Sequence, residues 1–299
     1  MDFTLTGTTP EEKLKELTDK LEQGVREIFT SGRYAEYLAV MSKFHSYSYG
    51  NVLLILMQNP AATHVAGFQA WKKNFERTVK AGEHGLKILA PCPYRRFIEQ
   101  DRLDTNGKPL LDANGKPLRE RTLVQLMRFR IVTVFDISQT NSERSYSRRT
   151  PDERRVLKAL ISSSPCDIRM TNELDGNVCA RYVPKDDAIY IRQGLDGEDI
   201  FRSLSQEIVI ANFAKNGVAR EDCVFTAYCA TYVLCERNGF DTGDFDFEKV
   251  PEMFKDAEPK AIRGQLDKIR DSANELSQDM NRIMEEQQKA KRSRDDGAR

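Results

Sequence analysis

Apolar residues recur at helical spacing from the start of the chain. Leu14, Leu17, Leu21, Val25 and Ile28 form one stripe behind Thr9-Pro10-Glu11-Glu12, a capped and acidic helix start, and Ser31-Gly32 ends the run. Tyr37, Leu38, Met41 and Phe44 mark the inner face of a second helix over Tyr34–Phe44, and a third covers Asn51–Met57. After Pro60 the pattern changes. Leu86 to Ala90 reads as a strand stopped by Pro91, and Met127 to Ile137 as a longer β-rich strand. Between them the eight residues Leu103 to Leu110 are repeated, nearly unchanged, as Leu111 to Leu118; each copy carries Asn-Gly, and the pair predicts two surface turns in a hairpin extension without function of its own.

The polar run Gln139 to Arg149 predicts an interdomain linker, bounded at 141–150. A helix follows over Pro151–Ser162, then short strands near Asp167–Met170, Val178–Val183 and Ala188–Ile191. Asp196 caps a helix with Phe201, Leu204, Ile208 and Ala211 on one face, and another runs from about Glu221 to Arg237 before Asn238-Gly239. The last helix begins near Pro259. Its Ile262, Leu266, Ile269, Ala273, Leu276, Met280 and Ile283 alternate steps of four and three, a heptad stripe that packs back on the domain or pairs with a partner protein. The stripe barely reaches the ~3–4 heptads that argue for a coiled coil, so packing within the chain is the preferred reading. Residues 289–299 are charged and expected to be disordered.

These elements predict an α+β protein of two domains, residues 8–140 (with a 97–121 insertion) and 151–288. Lys+Arg and Asp+Glu are both 46, so the net charge is +0 and only a local distribution can point to a nucleic acid. No apolar run approaches the ~20 residues of a membrane span, and the first ten residues lack the pattern of a secretory signal. The six cysteines form no C-x-x-C pair and read as reduced, mostly buried thiols of a cytoplasmic protein. The 3 histidines are His45, His64 and His84, so the chain has none after residue 84.

Candidate chemistry concentrates between Tyr47 and Pro91. Tyr47, Tyr49, Phe68, Trp71 and Phe75 interleave there with Lys72, Lys73, Arg77, Lys80 and Lys87, against only Glu76 and Glu83. Unpaired bases stack on rings while cations track phosphates, so the stretch suits a single strand; Asn51 and Gln58 add amides for base edges or phosphates. The same residues also fit a structural role, with Phe68, Phe75 and Trp71 in a core, the lysines as solvated surface, and Tyr47 and Asn51 bracing a helix.

Tyr47-Ser48-Tyr49-Gly50-Asn51, the run Gln58 to Lys73, Gly82 to Pro91 and Val134 to Thr140 together resemble the N-terminal domain of the ArdC-type antirestriction and LtrC-like proteins. The resemblance covers most of residues 10–140. It implies binding of single-stranded DNA on plasmids, conjugative elements or phage, with RNA an open alternative. Two departures reduce positive charge: Glu76 stands where the family has a glycine, and His84 where it has a lysine.

The same resemblance implies a zincin-like second domain whose helix carries His-Glu-x-x-His, two histidines one turn apart on a zinc and a glutamate that activates water. The matching helix here reads Gln206-Glu207-Ile208-Val209-Ile210, and Tyr228 stands where the next helix offers an acid. All three ligand positions are lost and Glu207 is vestigial, so no cofactor, no metal and no peptidase activity are expected. Two alternatives stay open: a pseudo-enzyme that binds protein through its old cleft and heptad helix, and a zinc peptidase with unconventional ligands.

Overall fold

The computed structural model describes residues 3–105, 107–141 and 152–297, with side chains through residue 290. The expected linker therefore lies, apart from Asn141, outside the described residues. The first helix, α1 (Pro10–Thr30), starts on the expected cap: the Thr9 hydroxyl accepts the Glu12 amide and the Glu12 carboxylate accepts the Thr9 amide. Helices α2 (Tyr34–Lys43) and α3 (Tyr49–Gln58) follow, and α3 is buried on almost every side. Strand β1 (Val65–Gly67) leads into α4 (Phe68–Phe75), a helix that the interleaved aromatic and basic residues did not announce, and then β2 (Thr78–Val79). Glu76 closes α4 with φ 54° and ψ 33°, the left-handed region where glycine costs least. Backbone geometry thus accounts for the glycine that the resemblance implies there.

Strands β3 (Leu86–Asp101) and β4 (Arg119–Asp136) pair antiparallel along their whole length, and β1 pairs with the end of β4, giving the order β1-β4-β3. The expected stop at Pro91 does not occur. In an antiparallel pair, alternate residues turn their N–H and C=O away from the neighbouring strand. Lys87 and Leu89 do so, since their outward groups bond to side chains of α3, and Pro91 and Pro93 share that parity. An outward position needs no ladder donor, so proline costs nothing there. At the far end the repeat makes two turns, closed by Leu103 against Pro109 and Leu111 against Pro117. The aspartate at the head of each copy, Asp104 and Asp112, accepts amides of its own turn.

After β5 (Thr140–Asn141), which pairs with β2, the chain resumes with α5 (Glu153–Ser162), β6 (Asp167–Thr171), β7 (Ala180–Val183) and β8 (Ala188–Arg192). These strands form a second sheet in the order β6-β8-β7, with β6 and β8 parallel. Two long helices, α6 (Gly197–Lys215) and α7 (Arg220–Asn238), pack together, followed by the short α8 (Val250–Phe254) and the long α9 (Pro259–Gly297). Ile262, Leu266, Ile269, Ala273, Leu276 and Met280 are all buried, so the heptad stripe packs within the chain, against α7 and α5. The helix also runs on to Gly297, into the segment expected to be disordered. No proline interrupts it there, and Lys289, Ala290, Lys291 and Arg292 favour helix.

The two halves share one apolar core. The Tyr34 hydroxyl on α2 lies 3.6 Å from the Cys229 thiol on α7. Arg237 of α7 donates to the Ser42 carbonyl on α2 and to Ala273, Asn274 and Ser277 on α9. Burial raises the thiols of Cys229 and Cys235 to about 12, which removes both as nucleophiles near neutral pH. All six cysteines are free. No helix of the described residues is long and apolar enough to cross a membrane.

Candidate nucleic-acid interface

The residues expected to contact nucleic acid do not form one surface. Trp71 is fully buried; its indole N–H donates to the Phe135 carbonyl at 2.9 Å, and its ring packs against His64 and Phe75. No face of it is open to a base, so the expected stacking role is corrected to a core role. Asn51 and Gln58 are also committed. The Asn51 amide bonds both the N–H and the C=O of Leu89, and Gln58 does the same to Lys87. Each amide imitates a neighbouring strand and covers the open edge of β3. Neither is left for a base edge.

Tyr47 is half-buried with its hydroxyl on the Val65 carbonyl, and Tyr49 faces Arg263 and Asp267 of α9. Burial raises both phenols above their ordinary range. Lys72 and Lys73 are exposed on α4. Arg77 donates to the Thr140 hydroxyl, and the Lys80 ammonium to the Ser138 carbonyl. Of the expected set, Gln58 and Lys87 line a large cleft, where the Lys87 ammonium donates to Thr133 across the strand pair.

That cleft has a volume of about 950 Å³ and opens between the N-terminal segment, the start of α1 and the β3–β4 sheet. Lys13, His84, Lys87, Arg128 and Arg130 border it, against Glu11 as the acid, and Phe129 at its rim is 50% exposed. Arg128 and Arg130 belong to the rim by their backbone, because both alternate away from Phe129 to the other face of the ribbon, where the Arg128 guanidinium lies 4.3 Å over the Tyr94 ring. Gly85 lets the strands close at the cleft wall; a Cβ there would meet the Thr133 methyl at 2.4 Å and the Val134 carbonyl at 2.7 Å. Lys13 and Phe129 are not among the residues expected from the sequence. The visible signal was Arg128-Phe129-Arg130, cations flanking an aromatic inside an otherwise apolar strand.

A short N-terminal strap forms one wall. The Thr6 and Gly7 amides donate to Glu16, and the Thr8 hydroxyl and amide donate to Glu12. The Thr8 hydroxyl and then the Thr9 and Thr8 amides hold the Glu12 carboxyl down to about 2, from an ordinary 4.5. A depressed carboxyl contributes its anchoring above its ordinary value and loses it as pH falls toward the folded value. The strap is therefore expected to loosen between pH 4.5 and about 2, with faster hydrogen exchange at the Thr8 and Thr9 amides and an unchanged core. Exchange at those amides that does not change across this window would contradict the anchoring.

The second half holds the other candidate site. Glu207 is buried, accepts both arms of the Arg220 guanidinium at 2.8 and 2.6 Å, and accepts the Tyr182 amide at 2.7 Å. Glu207 is thus a partner in a buried ion pair, and the pairing with Glu207 raises the Arg220 guanidinium further above its ordinary range. Of the three positions matched to metal ligands, Gln206 alone borders the adjacent cleft of about 290 Å³. Ile210 is in the core, and the Tyr228 hydroxyl accepts the Asp246 amide at 2.7 Å. The described residues contain no cluster of three or more His, Cys, Asp or Glu side chains placed to hold a metal ion.

Residues 9–135 match the family described as the N-terminal domain of anti-restriction factor ArdC. Among solved structures, the chain is similar to a metal-free crystal structure of the antirestriction ArdC protein from the R388 plasmid. The two share 18% identity over 79% of this chain and 86% of that one, with a TM-score of 0.46. No curated protein matches the chain.

Proposed function

We propose that this chain, whose residues 9–135 match the family of the ArdC N-terminal domain, binds single-stranded DNA in the cleft beside β3 and β4. The observation that carries the reading is the cleft itself. It brings Lys13, His84 and Lys87 to the border of one concavity with the half-exposed ring of Phe129. Stacking on an aromatic ring with cations along the phosphates is the chemistry of single-strand binding, and it tolerates any base sequence. A duplex hides its base faces and gains only the phosphate contribution. The family supports an antirestriction role on a mobile element, in which the bound form is the incoming single strand.

The second half is read as a zincin-like domain that no longer binds zinc. Glu207, the residue left from the expected motif, is neutralised by Arg220, and a guanidinium stands beside the carboxylate that a peptidase uses to activate water. The domain then serves as support for the first half, with which it shares a core, and as a surface for a protein partner.

Anisotropy of labelled oligonucleotides tests the binding, with a single strand and its duplex compared at several salt concentrations. The single strand is expected to bind more tightly, with log affinity falling by about 0.7 per phosphate contact for each tenfold rise in salt. Phe129→Ala combined with Lys87→Ala is expected to weaken single-strand binding by roughly tenfold or more, from stacking alone worth about 1–3 kcal/mol. Equal affinity for the duplex, or no binding at low salt, would overturn the reading. A preference for an RNA strand of the same sequence would reassign the ligand.

A further inference from the structure

Beyond Leu89 and Ile131, β3 and β4 leave the body of the protein as a bare two-stranded ribbon. Side chains alternate between its faces, and residues paired in register share a face. Lys87 and Thr133, which line the cleft, therefore lie on the same face as Phe129, Met127, Leu123 and Phe97 farther out. Those four are 50%, 55%, 48% and 57% exposed. Arg95 stands among them, and the Arg121 guanidinium lies 5.6 Å from the Phe97 ring. No acid occurs on this face from Lys87 to Phe97 or on the matching part of β4; the first is Glu99, opposite Arg121. The other face differs. There Tyr94, Ile98 and Val124 are partly buried, Leu126 is 37% exposed, and Arg128 covers the Tyr94 ring.

An exposed apolar row of this length on a monomer's surface marks an interaction site. Two features fix its occupant. The row is continuous with the cleft, and as far as Phe97 and Leu123 its only charges are positive. We propose that this face is the outer part of the single-strand path: a strand leaving the cleft over Phe129 continues along Met127, Leu123 and Phe97, with its phosphates toward Arg95 and Arg121. From Phe129 to Phe97 the path adds about 20 Å at ~3.3 Å per residue and ends where the acids begin. The inference rests on the proposed binding in the cleft and extends it to a length dependence.

Two oligothymidines of about 5 and about 20 nucleotides, which bracket the usual 4–16 of single-strand sites, make the test. Arg95 and Arg96 are neighbours on opposite faces, so Arg95→Ala and Arg96→Ala remove the same charge from different sides. Phe97→Ala is expected to weaken the long oligomer roughly five- to a hundredfold and to leave the short one unchanged. Arg95→Ala should weaken the long oligomer, and Arg96→Ala should not. Equal effects of the two arginine variants, or equal effects on both lengths, would overturn the path while leaving binding in the cleft standing. Loss of binding at every length in the unmodified protein would remove both. If Phe97→Ala lowers the mass seen in light scattering without changing affinity, the face joins two copies of this chain and the proposal fails.

Discussion

Trp71→Ala is expected to cost about 3–5 kcal/mol of stability, the range for truncating a large buried aromatic. The indole is fully buried, so its removal leaves a cavity between α4 and the end of β4. It also leaves the Phe135 carbonyl without the donor it has now. Urea unfolding followed by circular dichroism measures the loss; fluorescence does not serve, because the chain has 1 tryptophan. Trp71→Phe should fall between the two, since it keeps most of the volume and loses the hydrogen bond, at a cost of about 1–3 kcal/mol for the unsatisfied group. Lys72→Ala with Lys73→Ala should change stability by less than about 0.5 kcal/mol, as exposed substitutions do. A stable Trp71→Ala protein that loses only nucleic-acid binding would return the residue to the surface role that its sequence neighbours suggest.

Arg220→Ala should be nearly as damaging, by about 3–5 kcal/mol, because it strands a buried carboxylate. Glu207 is 4% exposed at its side chain, and two of its three hydrogen bonds come from Arg220. Adding Glu207→Gln to Arg220→Ala removes the stranded charge and keeps an acceptor for the Tyr182 amide, so the double variant is expected to recover part of the loss. A double-mutant cycle in urea reads this directly. If Arg220→Ala is neutral, the pair is not held as described and Glu207 is free for other chemistry. The outcome bears on function as well as stability, since a carboxylate locked to a guanidinium is a poor base for activating water.

Much of the local architecture is legible in the sequence. The Thr9 capping box, the Asp196 cap, the Gly239 stop and the heptad stripe of α9 all fall where local rules put them. Each depends on residues within a turn or two of one another. The repeated Asn-Gly turns were legible for the same reason. What failed to be legible was the direction in which aromatic and polar side chains face. Trp71-Lys72-Lys73 reads as one basic aromatic patch, yet on a helix adjacent residues point about 100° apart; the ring goes inward and the lysines outward. Asn51 and Gln58 are polar and helical, which said nothing of a strand edge dozens of residues away that needs their amides.

Sequence alone determined which stretches are helix or strand in most of the chain, the resemblance of its first half, and the absence of histidine after His84. Those follow from short-range pattern and residue identity. Tertiary structure decided which of the cations and rings reach solvent together. Lys13 from the first helix, Lys87 from one strand and Phe129 from the other meet at one cleft, although 74 residues separate Lys13 from Lys87 and 42 more separate Lys87 from Phe129. It also decided that β3 passes through two prolines, because only pairing with β4 shows that their nitrogens face outward. A binding surface is a property of faces, and faces are set by packing against residues that no local window contains.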